Sequence, residues 1–391
     1  MKQKRKNLVI LGSTGSIGQN TLEVVRRQSN RFRVVGLAAG RNIGLLASQV
    51  EEFQPEVVAV ESENLAGELR KKVGKEVKIV YGESGYQTVA SWKKADLVVS
   101  AMTGIAGLKP TLAALESGKY LALANKETMV VAGALIRKIA SKSGSRIIPV
   151  DSEHSGVFQC LRGNNKKQVK KIYLTASGGP FFRVPLEELP KKTLAEALKH
   201  PRWKMGRKVT IDSATMMNKG LELIEARWLF NLRPEQLEVL IHPQSIVHAL
   251  VEFVDGSILA QLSQTDMRIP IQYALSFPER WESPLPYLSL AEVGSLEFYP
   301  VEEKRYPLFS LARRVLEAGR SFPVVLNAAN EVAVEAFLEE EINFGEIFQV
   351  VEYCLEAHRP RYLKTLEEIL ETDRITRELA RQFLRKRGKE R

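Results

Sequence analysis

In the stretch VDSEHSG, Asp151 and Glu153 stand one residue apart, directly after the apolar run RIIPV. Carboxylates this close repel one another unless something cationic lies between them. A third acid can come from DSATMMNKGLELIEARWLF, residues 212–230. There Met217, Leu221, Ile224 and Trp228 recur at i, i+4, i+7 and i+11 as a helical apolar stripe, with Asn218, Glu222 and Glu225 along its border. Taken alone, Glu222 reads more simply as an exposed glutamate on a helix face. Joined to Asp151 and Glu153 it completes an all-oxygen set, which suits Mg²⁺ or Mn²⁺ better than Zn²⁺. The competing use of these carboxylates, a general acid/base pair, suits groups facing each other across a substrate better than neighbours in one short segment. His154 reads as a packing residue or a support for a ligand.

Donors for an oxyanion cluster in the same part of the chain. Ser177 in TASGGP, Ser213 in DSAT, and Asn218 and Lys219 in NKG offer hydroxyl, amide and ammonium groups, although each alone is a commonplace turn or cap residue. The segment 178–208 carries four prolines and exceeds the length of an ordinary loop, so it reads as a lid. Within it, KHPRWKMG supplies His200 and Trp203, and an indole there can exclude water from a reacting centre.

A second chemistry is written near the N-terminus. GSTGSIG, residues 12–18, follows an apolar run and precedes a helical period, so its backbone N–H groups face the place where a pyrophosphate binds. The spacing is GxxGxxG, and a merely tight turn is the plain alternative. The next apolar run, RVVGLAAGRN, ends without an acid to accept a ribose 2′-hydroxyl and offers Arg41 and Asn42 instead, which favours NADP over NAD. LANKE places Asn125, Lys126 and Glu127 after a later run of the same kind; a helix start is the alternative use of these three.

These groups need elements to hold them. NLVILG, RVVGLAA, EVVAV, VKIVY, DLVVSAM, YLALA and RIIPV are apolar throughout and alternate with helical periods, which predicts a parallel sheet covered on both faces: a doubly wound α/β domain over 1–150. From 151 to 275 the pattern changes. KKIYLTAS, LEVLIHP, SIVHALVEF and SILAQLSQ read as strands, with VDGS as a hairpin turn, and predict an α+β domain that includes the lid. The Pro-rich residues 276–307 read as a linker, and 308–391 as a helical domain.

Composition narrows the classes. The chain has 391 residues, 44% apolar and 26% charged, as expected of a globular protein. No apolar run is long enough for a membrane helix and the start lacks a signal-peptide pattern, so the expectation is a cytoplasmic protein. Cys160 and Cys354 are isolated, which argues against disulfides and a zinc site. The net charge of +11 lies mainly in KQKRK and RKRGKER at the two ends and comes with no nucleic-acid-binding motif; small anionic molecules fit it equally well.

Several blocks together resemble the 1-deoxy-D-xylulose 5-phosphate reductoisomerase family: GSTGSIG, LANKE, PVDSEHS, TASGGPF, HPRWKMGRK, DSATMMNKGLELIEARWLF, IHPQSIVHALV and LNAANEVAVEAFL, in that order over nearly the whole chain. The resemblance implies a homodimer with a Rossmann-like NADPH domain. Its reaction would be a metal-assisted rearrangement of 1-deoxy-D-xylulose 5-phosphate, then reduction by NADPH to 2-C-methyl-D-erythritol 4-phosphate. It further implies Mg²⁺ or Mn²⁺, with Co²⁺ as a third choice, held by Asp151, Glu153 and Glu222. Substrate contacts would come from Lys126, Ser152, Glu153, Ser177, His200, Ser213, Asn218, Lys219 and Glu222, with Trp203 and Met205 on a mobile loop. NADPH contacts would come from Thr14, Gly15, Ser16, Ile17, Gly40, Arg41, Asn42, Asn125, Glu127 and Gly206. Catalysis would fall to Asp151, Glu153, His200, Lys219 and Glu222.

Three rivals remain at this stage. One is an NADP-dependent, metal-assisted dehydrogenase that never rearranges its substrate. The others are a thiol-dependent semialdehyde dehydrogenase using Cys160 and a basic nucleic-acid-binding protein.

Overall fold

The structure, a computed structural model, describes residues 5–203, 205–283 and 285–390, the last three by their backbone alone. Lys2, Lys4 and Arg391 of the basic ends, and Lys204 of the lid, lie outside the described residues. The strands are β1 (Lys6–Leu11), β2 (Phe32–Ala38), β3 (Val57–Val60), β4 (Lys78–Tyr81), β5 (Leu97–Ser100), β6 (Tyr120–Leu123), β7 (Ile147–Pro149), β8 (Val169–Ala176), β9 (Leu237–Ile241), β10 (Val247–Phe253), β11 (Ile258–Leu262) and β12 (Tyr299–Pro300). The helices are α1 (Ser16–Arg27), α2 (Ile43–Phe53), α3 (Glu63–Arg70), α4 (Gly82–Ala90), α5 (Leu108–Glu116), α6 (Lys126–Ser143), α7 (Ser152–Cys160), α8 (Leu194–Ala197), α9 (Arg207–Ala214), α10 (Met217–Phe230), α11 (Arg268–Ser276), α12 (Leu290–Val293), α13 (Pro307–Ala318), α14 (Phe322–Leu338), α15 (Phe344–Ala357) and α16 (Leu366–Glu390).

Two compact units result, neither continuous in sequence. The first holds residues 1–128, 136–155 and 266–287. Its seven strands, all read from the sequence, pair in parallel in the order β4-β3-β2-β1-β5-β6-β7. The order reverses between β1 and β5, the switch point at which such sheets bind ligands outside the carboxyl ends of their strands. Their residues are apolar on both faces because helices cover both; β3 and β5 are buried along their whole length.

The second unit holds residues 129–135, 156–265 and 288–391. Its mixed sheet runs β11-β10-β8-β9-β12, antiparallel except for the β8–β9 pair. One apolar core is shared by this sheet, α10 and the C-terminal helices: Leu174, Leu221, Ile224, Val251, Phe309, Leu326 and Val350 all belong to it.

Three expectations are corrected. The separate central and helical domains are one unit, because the stripe of α10 and the apolar faces of α13 and α14 complete each other's burial. The 276–307 linker does not stand as a spacer. Residues up to 287 join the first unit, where Arg268 pairs with Asp266 and with Glu23 of α1, and Arg31 and Phe32 pack on Trp281. The remainder joins the second, where Tyr299 and Pro300 pair with β9. The lid is also partly regular, with α8 closed by a capping box between Thr193 and Glu196.

Candidate active site

In the first unit the glycine turn sits at the carboxyl end of β1. Gly12 has φ +85°, and a Cβ there would stand 2.5 Å from the Ala101 carbonyl oxygen; a Cβ on Gly18 would stand 2.3 Å from that of Gly12. Only glycine fits either position. Gly15 caps α1 with no side-chain hydrogen bond, and Thr14, Gly15, Ser16 and Ile17 form the turn that opens this helix. Gly40, Arg41 and Asn42 follow β2, all exposed, with Asn42 capping α2. Arg41 lies in a bidentate pair with Glu61, at 2.6 and 3.1 Å.

Asn125 is more deeply committed than its expected contact role implies. Its oxygen accepts from the Thr128 amide and hydroxyl at 2.8 Å, and its amide donates to the Met102 and Gly104 carbonyls. It therefore fixes the turn after β5 against α6. Glu127 is buried in the first turn of that helix. Next along, Lys126 meets Asp151 at 2.7 Å because β6 and β7 are neighbours and both chains leave the sheet at the same edge. Asp151 and Glu153 sit at the start of α7, where a helix dipole favours negative charge. The Ser152 hydroxyl donates to Glu153 at 2.7 Å.

In the second unit Glu222 and Lys219 form an ion pair at 2.6 Å with side chains 1% and 6% exposed, and the Asn218 amide donates to the same carboxylate. Glu222 and Glu225 are thus inside the unit rather than on the border the stripe predicts. The turn before α10 is strained: Met216, buried, has φ +59°, a left-handed conformation unusual for a non-glycine residue. Ser213 precedes it on α9. A Cβ on Gly179 would lie 2.7 Å from the Ser213 carbonyl oxygen, so the Ser177–Gly179 loop approaches α9 as closely as backbone allows.

His200 links lid and loop. Its Nε2 lies 3.0 Å from the Ser177 hydroxyl, while Nδ1 accepts from the backbone N–H groups of Arg202 and Trp203. That pattern puts the proton on Nε2. Burial, helped by the positive charge of Lys219, pushes the imidazole down to about 4, so the ring is neutral at pH 7. Trp203 packs against His248, with ring centroids 6.2 Å apart. Met205 and Gly206 lead into α9, and Gly206 belongs to this unit, not to that of the other expected nucleotide contacts.

The donor chemistry of both halves fits a hard divalent cation. Every candidate ligand is a carboxylate, and Asp151 and Glu222 each already meet an ammonium group, so both sit where positive charge is called for. Both cysteines, Cys160 of the thiol-dependent rival included, are buried free thiols, and burial pushes Cys354 up to about 12.

Two parts of the site escaped the sequence reading. Asp212 is buried, paired with Lys208 at 2.9 Å and holding the Asn330 amide at 2.8 Å, which ties α9 to α14. Fully buried Asn327 and Asn330 in the otherwise apolar VVLNAANEVAV were a usable signal, because asparagines inside an apolar helix need partners. Glu61 follows β3, whereas a ribose acceptor is expected at the end of β2.

The parallel order, the switch point and the glycine turn at its edge define a nucleotide-binding α/β enzyme of the doubly wound class. Models described as 1-deoxy-D-xylulose 5-phosphate reductoisomerase, its C-terminal domain and a further DXP reductoisomerase C-terminal domain match residues 8–133, 147–230 and 262–379. Curated relatives of that name include one from Chlorobium phaeovibrioides (strain DSM 265 / 1930), 52% identical with 96% of this chain and 99% of the relative covered. Another, from Geotalea uraniireducens (strain Rf4), is 50% identical, with 97% and 98% covered. Among solved structures, the reductoisomerase from Zymomonas mobilis in complex with NADPH matches at TM-score 0.91 and 40% identity, covering 97% of this chain and 99% of that one. A DOX-P reductoisomerase in complex with NADPH, fosmidomycin and magnesium matches at 0.93 and 41%, covering 97% and 98%. The chain belongs to the 1-deoxy-D-xylulose 5-phosphate reductoisomerase family and is an isomerising oxidoreductase.

Proposed function

We propose that this enzyme binds NADPH and a divalent cation, Mg²⁺ or Mn²⁺, and converts 1-deoxy-D-xylulose 5-phosphate to 2-C-methyl-D-erythritol 4-phosphate by rearrangement followed by reduction. The observation that carries this reading is the buried Lys219–Glu222 pair beside Asn218, one turn after Ser213, in a chain of this family. Asp151, Glu153 and Glu222 would hold the cation together. When bound, it polarises a ketone and its adjacent hydroxyl, the chemistry a skeletal rearrangement requires.

The remaining roles follow from the side chains. Ser177, Ser213, Asn218 and Lys219 grip the phosphate and fix the substrate's orientation. His200, neutral and donating from Nε2, presents the Ser177 hydroxyl and adds a donor without adding charge. Lys219 and Glu153 move protons at the substrate hydroxyls, aided by Ser152 and Lys126. Trp203 and Met205 cover the site and exclude water during hydride transfer. The turn Thr14–Ile17 takes the pyrophosphate, Arg41 the 2′-phosphate and Asn42 the ribose edge. Asn125 and Glu127 hold the nicotinamide side, with Gly206 at the lid's end.

The working form we propose is a cytoplasmic homodimer. No helix among the described residues is long and apolar enough to cross a membrane. Sheet edge β11 exposes Ile258 and Leu259, beside Val254 of the hairpin, an apolar edge that a second copy can cover. Light scattering on an Ile258→Lys/Leu259→Lys variant should then report monomer.

The direct test is loss of NADPH absorbance with the purified protein and 1-deoxy-D-xylulose 5-phosphate, with Mg²⁺, with Mn²⁺ and with chelator, followed by product analysis. Metal-dependent oxidation yielding the branched polyol phosphate supports the reading. Oxidation yielding an unrearranged product points to the plain dehydrogenase, and no oxidation with either metal overturns the assignment.

A further inference from the structure

We propose that Glu61 sets this enzyme's balance between NADPH and NADH, by competing with the 2′-phosphate for Arg41 and by accepting the ribose 2′-hydroxyl when no phosphate is present. The proposal rests on the NADPH reading above and concerns a residue to which that reading gives no part.

The geometry lies within the first unit. β2 and β3 run in parallel with Ala38 opposite Ala59, so the residues that follow each strand leave the sheet side by side, and the Glu61 N–H reaches the Gly40 carbonyl at 3.4 Å. Both side chains therefore stand at the carboxyl edge, where a doubly wound sheet holds the adenosine ribose. The Arg41 fork engages both Glu61 oxygens, and a guanidinium spent in this way presents fewer donors to a phosphate. The pair is 82% and 44% exposed, so it is weakly held and a dianionic phosphate can displace the carboxylate.

The displaced carboxylate then lies beside a phosphate of the same sign, a penalty that NADH does not meet. With NADH the same oxygen can take the 2′-hydroxyl, the task an acid at the end of the second strand performs in NAD enzymes. Here that acid stands just after the third strand. The Arg41 guanidinium holds the Glu61 carboxyl below its ordinary range, so it is an ionised acceptor at neutral pH. Among the described residues, Tyr81 at the end of β4 turns to Glu63, and Tyr86 is the titratable group that feels the Glu61 charge. Its hydroxyl donates to the Ala39 carbonyl, and burial with the nearby Glu61 charge pushes it up to about 12, so it stays a neutral donor.

The test measures NADPH and NADH dissociation constants by nucleotide fluorescence on the full-length protein without substrate, for wild type, Glu61→Gln and Glu61→Asp. Losing the competition for Arg41 and the negative charge of the hydroxyl acceptor together should raise the NADPH:NADH affinity ratio of Glu61→Gln by about 5–10-fold. Glu61→Asp should stay near wild type. A ratio within twofold of wild type, or weaker NADPH binding in Glu61→Gln, overturns the proposal while leaving the NADPH assignment intact. Wild-type protein that binds neither nucleotide overturns both.

Discussion

Two turns of this enzyme are built in opposite ways. At 12–18 the work falls to the backbone: glycines remove the Cβ atoms that would strike Ala101 and Gly12, and the opening N–H groups of α1 carry no side-chain cap. At 213–222 it falls to side chains. A non-glycine residue, Met216, is held left-handed, and buried Lys219, Glu222 and nearby Asp212 supply full charges. A backbone cradle recognises a pyrophosphate that many enzymes share, whereas buried charge pairs are specific to one reaction and cost desolvation wherever they are left incomplete.

The largest test of that contrast is Glu222→Gln. With Lys219 left beside a neutral amide and one proposed cation ligand lost, kcat/KM at saturating Mn²⁺ should fall by at least about 10²-fold, with NADPH affinity unchanged. Unchanged turnover would break the side-chain half of the comparison. Next comes Gly18→Ala, where the added methyl meets the Gly12 carbonyl. A loss of about 1–3 kcal/mol in stability and a steep loss of nucleotide binding are expected. Gly15→Ala, whose Cβ meets nothing closer than 3.4 Å, should by comparison retain binding, as calorimetry on the two variants would show.

Asn330→Ala should act more gently. It removes one partner of buried Asp212 at a cost of about 1–3 kcal/mol, and it should raise the KM for the phosphorylated substrate more than it lowers kcat, because α9 loses its tie to α14. The smallest effect concerns pH. His200 is held near 4 against an ordinary 6.5, so its neutral form favours the folded state. That contribution is fully present above pH 6.5 and is lost as pH falls from there toward 4. Imidazole NMR signals should therefore show His200 still neutral at pH 6; titration near 6.5 would remove it as a neutral donor.

The backbone half was the more legible one in sequence. Seven apolar runs each became a strand of the parallel sheet because strands buried on two faces leave an unbroken apolar signal. Tyr299–Pro300 left none, being too short for any alternation to register. The amphipathic runs LKTLEEIL and ITRELARQFL both give residues to one helix, α16, since nothing in the ETDR between them breaks it. The side-chain half depends on partners distant in sequence. Asp212 is 118 positions from Asn330, and no periodicity connects them. The left-handed Met216 has no signature at all, because a turn of that kind ordinarily announces itself with glycine or asparagine.

The return of residues 266–287 to the first unit sets an order of events at the ribosome. α11 packs on α1, and Arg268 reaches Glu23 across 245 positions. When the seventh strand of the parallel sheet has emerged, the segment that covers α1 does not yet exist. At about 5–20 residues per second, the wait from residue 155 to 287 is on the order of ten seconds. For that interval the nascent nucleotide unit carries an apolar helix face open to solvent, the kind of surface that a chaperone attends. A fragment ending at residue 150 would keep that face open permanently, and it should come out of expression as aggregate where the full chain is soluble.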